Sequence, residues 1–147
     1  VAAGLGVDLR ATGLDNAESL ARATARAAGH GVCGDALALP FRDRSFDVVL
    51  FPHSFGLMED PGRVLAEVAR VARNGAELRI LHTFEWSNKA LRRIENGLYD
   101  AFEDRLGWGG PLNLERTCER CAKHGFELVL RRRFGWKTIL VFRKRPH

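Results

Sequence analysis

The sequence predicts an α/β fold: a mostly parallel sheet that closes with a C-terminal antiparallel hairpin. Three observations carry that prediction. Strand-like and helix-like segments alternate along the chain, the pattern that builds parallel sheets. Phe46 to Phe51 (FDVVLF) is a continuous apolar run, as expected of a strand covered on both faces. The last two strand-like stretches stand on either side of Phe134-Gly135, close enough to pair as a hairpin.

Leu9 to Leu14 reads as a short strand ending at Asp15. Asp15 or Asn16 caps a helix from Glu18 to Ala28, rich in alanine, with Leu20 on its apolar side. Gly29-His30-Gly31 breaks that helix, and Val32-Cys33 makes a brief second strand running into Gly34-Asp35-Ala36. After FDVVLF, Asp60-Pro61 starts a helix through Ala72, where Val64, Leu65, Val68 and Val71 recur at helical spacing. Asn74-Gly75 ends it, in the usual C-terminal place for glycine, and Glu77 to Thr83 is the next strand. Asn88 to Arg105 reads as a helix with Leu91, Ile94, Leu98 and Phe102 on one side, followed by a loop at Trp108 to Pro111. Leu114 to Lys123 is a helix stopped by Gly125, and Phe126 to Arg132 and Lys137 to Phe142 are the closing strands.

At 147 residues the chain fits one domain, 1–147, with 46% apolar and 28% charged residues, the balance of a globular protein. No apolar run approaches the ~20 residues needed to cross a bilayer, and no leader pattern marks export. Three cysteines, an odd number, argue against a disulfide framework and fit a reducing cytoplasm. The net charge of +5 gathers largely in Arg131-Arg132-Arg133 and Arg143-Lys144-Arg145. Such a run is usually a solvated face; it also suits peripheral contact with an anionic membrane. Nucleic acid is favoured by the pI alone, since Trp86, Trp108 and Trp136 belong to different segments with no ribonucleoprotein-type motif.

A set of short motifs is more specific than composition. Thr12-Gly13-Leu14-Asp15-Asn16 is followed by Gly34-Asp35-Ala36 with Leu39-Pro40-Phe41, then Ser45-Phe46-Asp47-Val48-Val49, Glu59-Asp60-Pro61, and Val68-Ala69-Arg70-Val71 with Asn74-Gly75. In this order the stretch from Thr12 to Phe84 resembles the class I S-adenosylmethionine-dependent methyltransferases of small-molecule and lipid type. Gly125-Phe126-Glu127-Leu128 agrees with the way that family opens its last two strands.

The resemblance implies a Rossmann-like sheet of order 3-2-1-4-5-7-6 and S-adenosylmethionine as cofactor. Ligands of open α/β sheets bind beyond the carboxyl ends of the strands. By resemblance, Asp15 accepts hydrogen bonds from the ribose hydroxyls, Asp35 faces the adenine amino group, Ala36 offers a backbone N–H to a ring nitrogen, and Leu37 packs on the purine. Phe51 to Met58 then lies over the methyl donor, with His53, Ser54 and Phe55 lining the transfer site and His53 as the candidate proton-handling residue. Each has a plainer reading: Asp15 as a helix cap, Asp35 as a turn former, His53 as polar surface. Asp47 opens its strand, away from the ligand end, and reads as structural.

One departure stands out. The family places a strand, a glycine-rich loop and a helix ahead of the Asp15 strand, the acidic residue following the loop by ~20 residues. Here Gly4-Leu5-Gly6 precedes Asp15 by only nine positions, so Val1 to Gly6 reads as the tail of that helix. The expectation is a domain lacking its first strand and helix, with weak cofactor binding, impaired activity and marginal stability.

Cys118-Glu119-Arg120-Cys121 lies within a helix and has no second pair, so it reads as core rather than zinc or redox chemistry. The leading function is methyl transfer to a small-molecule or lipid-like acceptor. The alternative is a non-catalytic methyltransferase-like module or partner subunit, for which oligomeric state is open.

Overall fold

The computed structural model describes residues 11–83, 112–135 and 137–146. The chain divides into two compact units, Val1–Pro40 and Phe41–His147, each with its own sheet.

In the first unit β1 (Ala11–Asp15) pairs in parallel with β2 (Gly29–Cys33), and α1 (Glu18–Ala28) connects them. α1 ends at Ala28, as the glycines predicted, but the strand starts at Gly29 rather than Val32, because the ladder begins with Ala11 opposite Gly29. The glycine at 31 has a packing cause. A Cβ there would lie 2.0 Å from the Ala21 carbonyl oxygen, so α1 rests on β2 more closely than a side chain permits.

The second unit holds β3 (Phe46–Pro52), a 3-10 turn at Phe55–Leu57, α2 (Pro61–Val71), β4 (Ala72–Thr83), α3 (Leu114–Lys123), β5 (Phe126–Phe134) and β6 (Lys137–Lys144). Its strands lie in the order β3-β4-β6-β5. β3 runs parallel to β4, while β6 is antiparallel to both β4 and β5, with Gly135 (φ 59°) in the hairpin turn. This is the expected 4-5-7-6 half of the sheet. Among the described residues, β3 is bonded to β4 alone.

Asp60 caps α2, its carboxylate accepting from the Arg63 N–H at 3.0 Å, and Pro61 fills the first helical position, where no donor is needed. Val64, Leu65, Val68 and Val71 are buried, as their spacing predicts. The helix stops at Val71, earlier than Asn74-Gly75 suggested. Ala72 is already extended and pairs with Phe46, and the next pairing is Val48 with Glu77. Gly75 (φ 79°) therefore serves the register shift in the ladder, which favours a left-handed residue just as a helix end does.

Lys144 corrects the reading of the basic C-terminal run as a wholly solvated face. It is only 5% exposed, and its Nζ donates to the Ala69 and Ala72 carbonyls at 2.6 and 2.9 Å. The ammonium satisfies carbonyls at the end of α2 that have no helical partner, and suits the negative end of the helix dipole. Burial holds its pKa below the usual lysine range.

The core of this unit lies on one face of the sheet. Val64, Leu65 and Val68 of α2 and Cys121 of α3 are buried with Phe51, Leu78, Ile80, Leu140 and Phe142 of the strands. Burial pushes the Cys121 thiol up to about 12, which makes it a packing group rather than a nucleophile. FDVVLF was expected to be covered on both faces. Val48 and Leu50 instead point away from the helices by the period of two and are 44% and 53% exposed. Exposed Leu130 and Phe134 of β5 lie on the same face, by their pairing through β6 and β4. No described helix is long and apolar enough to cross a membrane. The expectations for Val1 to Gly6, Asn88 to Arg105 and Trp108 to Pro111 lie outside the described residues.

This sidedness sets an expected outcome for two leucines. Leu78→Ala lowers unfolding free energy by about 2–5 kcal/mol, the cost of emptying a closed core position. Leu50→Ala costs less than about 1 kcal/mol. Urea unfolding of the two variants checks the difference, and equal costs would mean that the exposed face is covered.

Candidate functional site

In the first unit the parallel pairing of β1 and β2 sets Asp15 opposite Cys33, so Asp15 and Asp35 leave the sheet at the same end. The Gly34 N–H extends the ladder by donating to the Asp15 carbonyl at 2.9 Å. Asp15 Oδ1 accepts from the Ala17 N–H at 2.9 Å, and Asp35 Oδ1 accepts from the Leu37 N–H at 2.8 Å. Both carboxylates thus hold local turns: Asp35 as its plainer reading required, and Asp15 just ahead of α1 rather than as the cap of that helix. Each spends one oxygen in doing so, and the other has no partner among the described residues.

Ala36 and Leu37 are half-buried, and the Ala36 N–H bonds to nothing among the described residues. Gly34 sits in a close cradle, where a Cβ would come within 3.2 Å of Leu14 and 3.3 Å of Pro40. Two carboxylate oxygens and one N–H without partners among the described residues, with a half-buried leucine, make a set that can accept hydrogen bonds, donate one and pack an apolar face.

In the second unit the same logic acts on β3 and β4. Phe51 is buried, its ring edge-on to Phe55 at 5.4 Å and 72°, so it packs the core. His53 follows the strand with φ 63°, a left-handed conformation that costs a residue with a Cβ about 1–3 kcal/mol. Its N–H donates to the Leu81 carbonyl at 2.8 Å, which ties the turned backbone to the end of β4. The His53 Nε2 is buried with no hydrogen-bond partner among the described residues. A buried orphan of this kind costs about 1–3 kcal/mol. Strain and an unspent polar atom thus fall on the same residue.

Sequence reading missed His82. It is 4% exposed at the carboxyl end of β4, with its ring centroid 5.7 Å from that of His53. The signal was available: parallel neighbours bring their last residues to one end of a sheet. Burial first, and the nearby Lys137 ammonium second, hold the His53 pKa below its ordinary 6.5. The imidazole is therefore kept neutral. Asp47 is structural, as expected, and accepts from Arg73 Nη1 at 2.6 Å. Among the described residues no cluster of three or more His, Cys, Asp or Glu side chains can hold a metal ion.

The profile of the methyltransferase domain family matches residues 2–80, just over half of the chain. The chain belongs to that family. The cofactor that goes with this methyltransferase family is S-adenosylmethionine. The phosphatidylethanolamine N-methyltransferase of Cereibacter sphaeroides is 36% identical over 83 residues, 56% of this chain and 40% of that protein. The demethylmenaquinone methyltransferase of Thermobifida fusca is 39% identical over 85 residues, 56% of this chain and 30% of that protein. The chain thus matches less than half the length of either relative.

Solved structures agree on the fold. A SAM-dependent methyltransferase from Thermotoga maritima superposes with a TM-score of 0.74 at 20% identity, covering 98% of this chain and 76% of that one. One from Methanosarcina mazei gives 0.70 at 18% identity, covering 92% and 82%. The Rossmann-like methyltransferase fold is the one expected from the motifs.

Since the folded pKa of His53 is depressed, the unfolded chain binds its proton more readily. The resulting stabilisation is fully present above 6.5 and is lost as pH falls from 6.5 through the folded value. His53→Gln should flatten that part of the stability-versus-pH curve, measured by denaturant titration between about pH 5 and 7.5. An unchanged slope would mean that His53 is not the group held neutral.

Proposed function

We propose that this methyltransferase-family chain binds the adenosine end of S-adenosylmethionine through Asp15, Asp35, Ala36 and Leu37 and acts on a small-molecule or lipid-like acceptor. The observation that carries the reading is the pair of carboxylates at the shared carboxyl ends of β1 and β2, each with one unspent oxygen. When bound, S-adenosylmethionine supplies an electrophilic methyl group on a sulfonium. The chain's own task is then alignment, exclusion of water and, where the acceptor carries a proton, a place for that proton. His53 is the candidate for it: its imidazole is held neutral at neutral pH, and Nε2, which has no partner among the described residues, can take a proton from an acceptor hydroxyl or amine that displaces the groups covering it.

The acceptor class is supported by the two relatives, whose names specify phosphatidylethanolamine and demethylmenaquinone. Exposed Leu130 and Phe134, with Arg132 stacked 4.9 Å from the Phe134 ring, agree with an amphiphilic acceptor or peripheral contact with an anionic membrane. The two compact units are read as parts of one methyltransferase domain, because the family match at 2–80 runs through both.

Calorimetry tests the cofactor reading. Asp15→Ala should weaken S-adenosylhomocysteine binding by about 1–3 kcal/mol, the worth of a charge-assisted acceptor. Asp15→Asn keeps an oxygen for the Ala17 N–H but removes the charge, and should also weaken binding. Since the proposed contacts all engage adenosine, 5′-methylthioadenosine should bind about as well. Unchanged affinity in both variants would leave Asp15 with its local turn alone.

A further inference from the structure

We propose that His82 is a positioning residue for His53: with the clearance left by Gly56, it fixes the orientation of the His53 imidazole, whose buried Nε2 has no partner among the described residues. This rests on the reading of His53 as the proton-holding group.

Three constraints converge on the pair. Pro52 pairs with Leu81, and the His53 N–H then donates to the Leu81 carbonyl at 2.8 Å, so the two histidines follow one another off adjacent strand ends. Their rings stand 5.7 Å apart at a tilt of 46°. His82, 4% exposed, lies opposite the equally buried Thr138 of β6 and has no room to swing.

The third constraint is Gly56, in the 3-10 turn. A Cβ added there would fall 2.8 Å from His82 Nε2 and 3.2 Å from its Cε1, with Leu112 Cδ2 at 3.4 Å. Closer than 3.0 Å, something has to shift. Residue 56 is therefore bare where the His82 ring needs space, and the turn that carries it begins just beyond His53. Among the described residues, the titratable neighbours of His53 are His82 on β4 and Lys137 at the start of β6.

Nuclear magnetic resonance of the full chain, with histidine labelled in its imidazole ring, tests the pair directly. In the unaltered protein His53 should hold one tautomer across neutral pH and show ring-to-ring contacts with His82. His82→Phe keeps an aromatic ring in place, and Gly56→Ala pushes the His82 ring aside. Each should change the His53 ring shifts and displace its titration midpoint by ~0.3 unit or more, as loss of a fixed neighbour does. Averaged tautomers with no ring contact in the unaltered protein would overturn the proposal, and that reading needs no variant to fold. So would His53 signals identical in both variants and the parent. None of these signals involves methyl transfer or S-adenosylhomocysteine, so a failure here is separable from a failure of the Asp15 binding assay.

Discussion

Parallel pairing of neighbouring strands is the constraint on which the candidate residues depend. A parallel ladder carries the carboxyl ends of both strands to the same edge, whatever the residues there. β1 and β2, joined through α1, bring Asp15 and Asp35 to one such edge. β3 and β4, joined through α2, bring His53 and His82 to another. In neither pair are the residues neighbours in sequence, and in neither do they need side-chain contacts of their own to stay close. The backbone ladder does that.

Holding polar groups in this way requires a rigid support. In the second unit the support is the layer of Leu65, Leu78, Ile80, Leu140 and Phe142, each fully enclosed, at ~1.5–3 kcal/mol per buried side chain. A few such residues offset the cost of one left-handed histidine with a buried, unpaired nitrogen. Close backbone approaches complete the arrangement. Gly31 lets α1 lie on β2, Gly34 fits between Leu14 and Pro40, and Gly56 makes space for the His82 ring. Lys144 ties the end of α2 to the last strand through two backbone carbonyls, converting a residue of a charged run into part of the frame.

Most of this architecture was legible in the sequence wherever the signal is local. The helix from Pro61 was read from its cap, its proline and its apolar spacing, all of which act within one or two turns. The closing hairpin was read from two apolar stretches around Gly135. What failed depends on distant partners. Gly75 could not be assigned from sequence, because a helix end and a shift in a ladder both favour positive φ. An apolar strand such as FDVVLF does not say which of its faces is covered. His82 and Lys144 looked like ordinary polar residues until pairing with distant segments buried them. Asp15 was read as either a helix cap or a ligand, and Asp35 as either a turn former or a ligand. The two roles do not exclude one another for a carboxylate, because one oxygen accepts the local N–H and the other has no partner among the described residues.

The central claim is that the carboxyl ends of β1 and β2 receive the adenosine moiety. The most direct measurement is amide-resolved nuclear magnetic resonance of the full chain during titration with S-adenosylhomocysteine. The predicted result is a set of saturable shifts at Asp15, Ala17, Asp35, Ala36 and Leu37, with the free Ala36 N–H among the most affected. Binding that leaves these amides unmoved, or no binding at all at millimolar ligand, the weak limit of useful affinity, would contradict it.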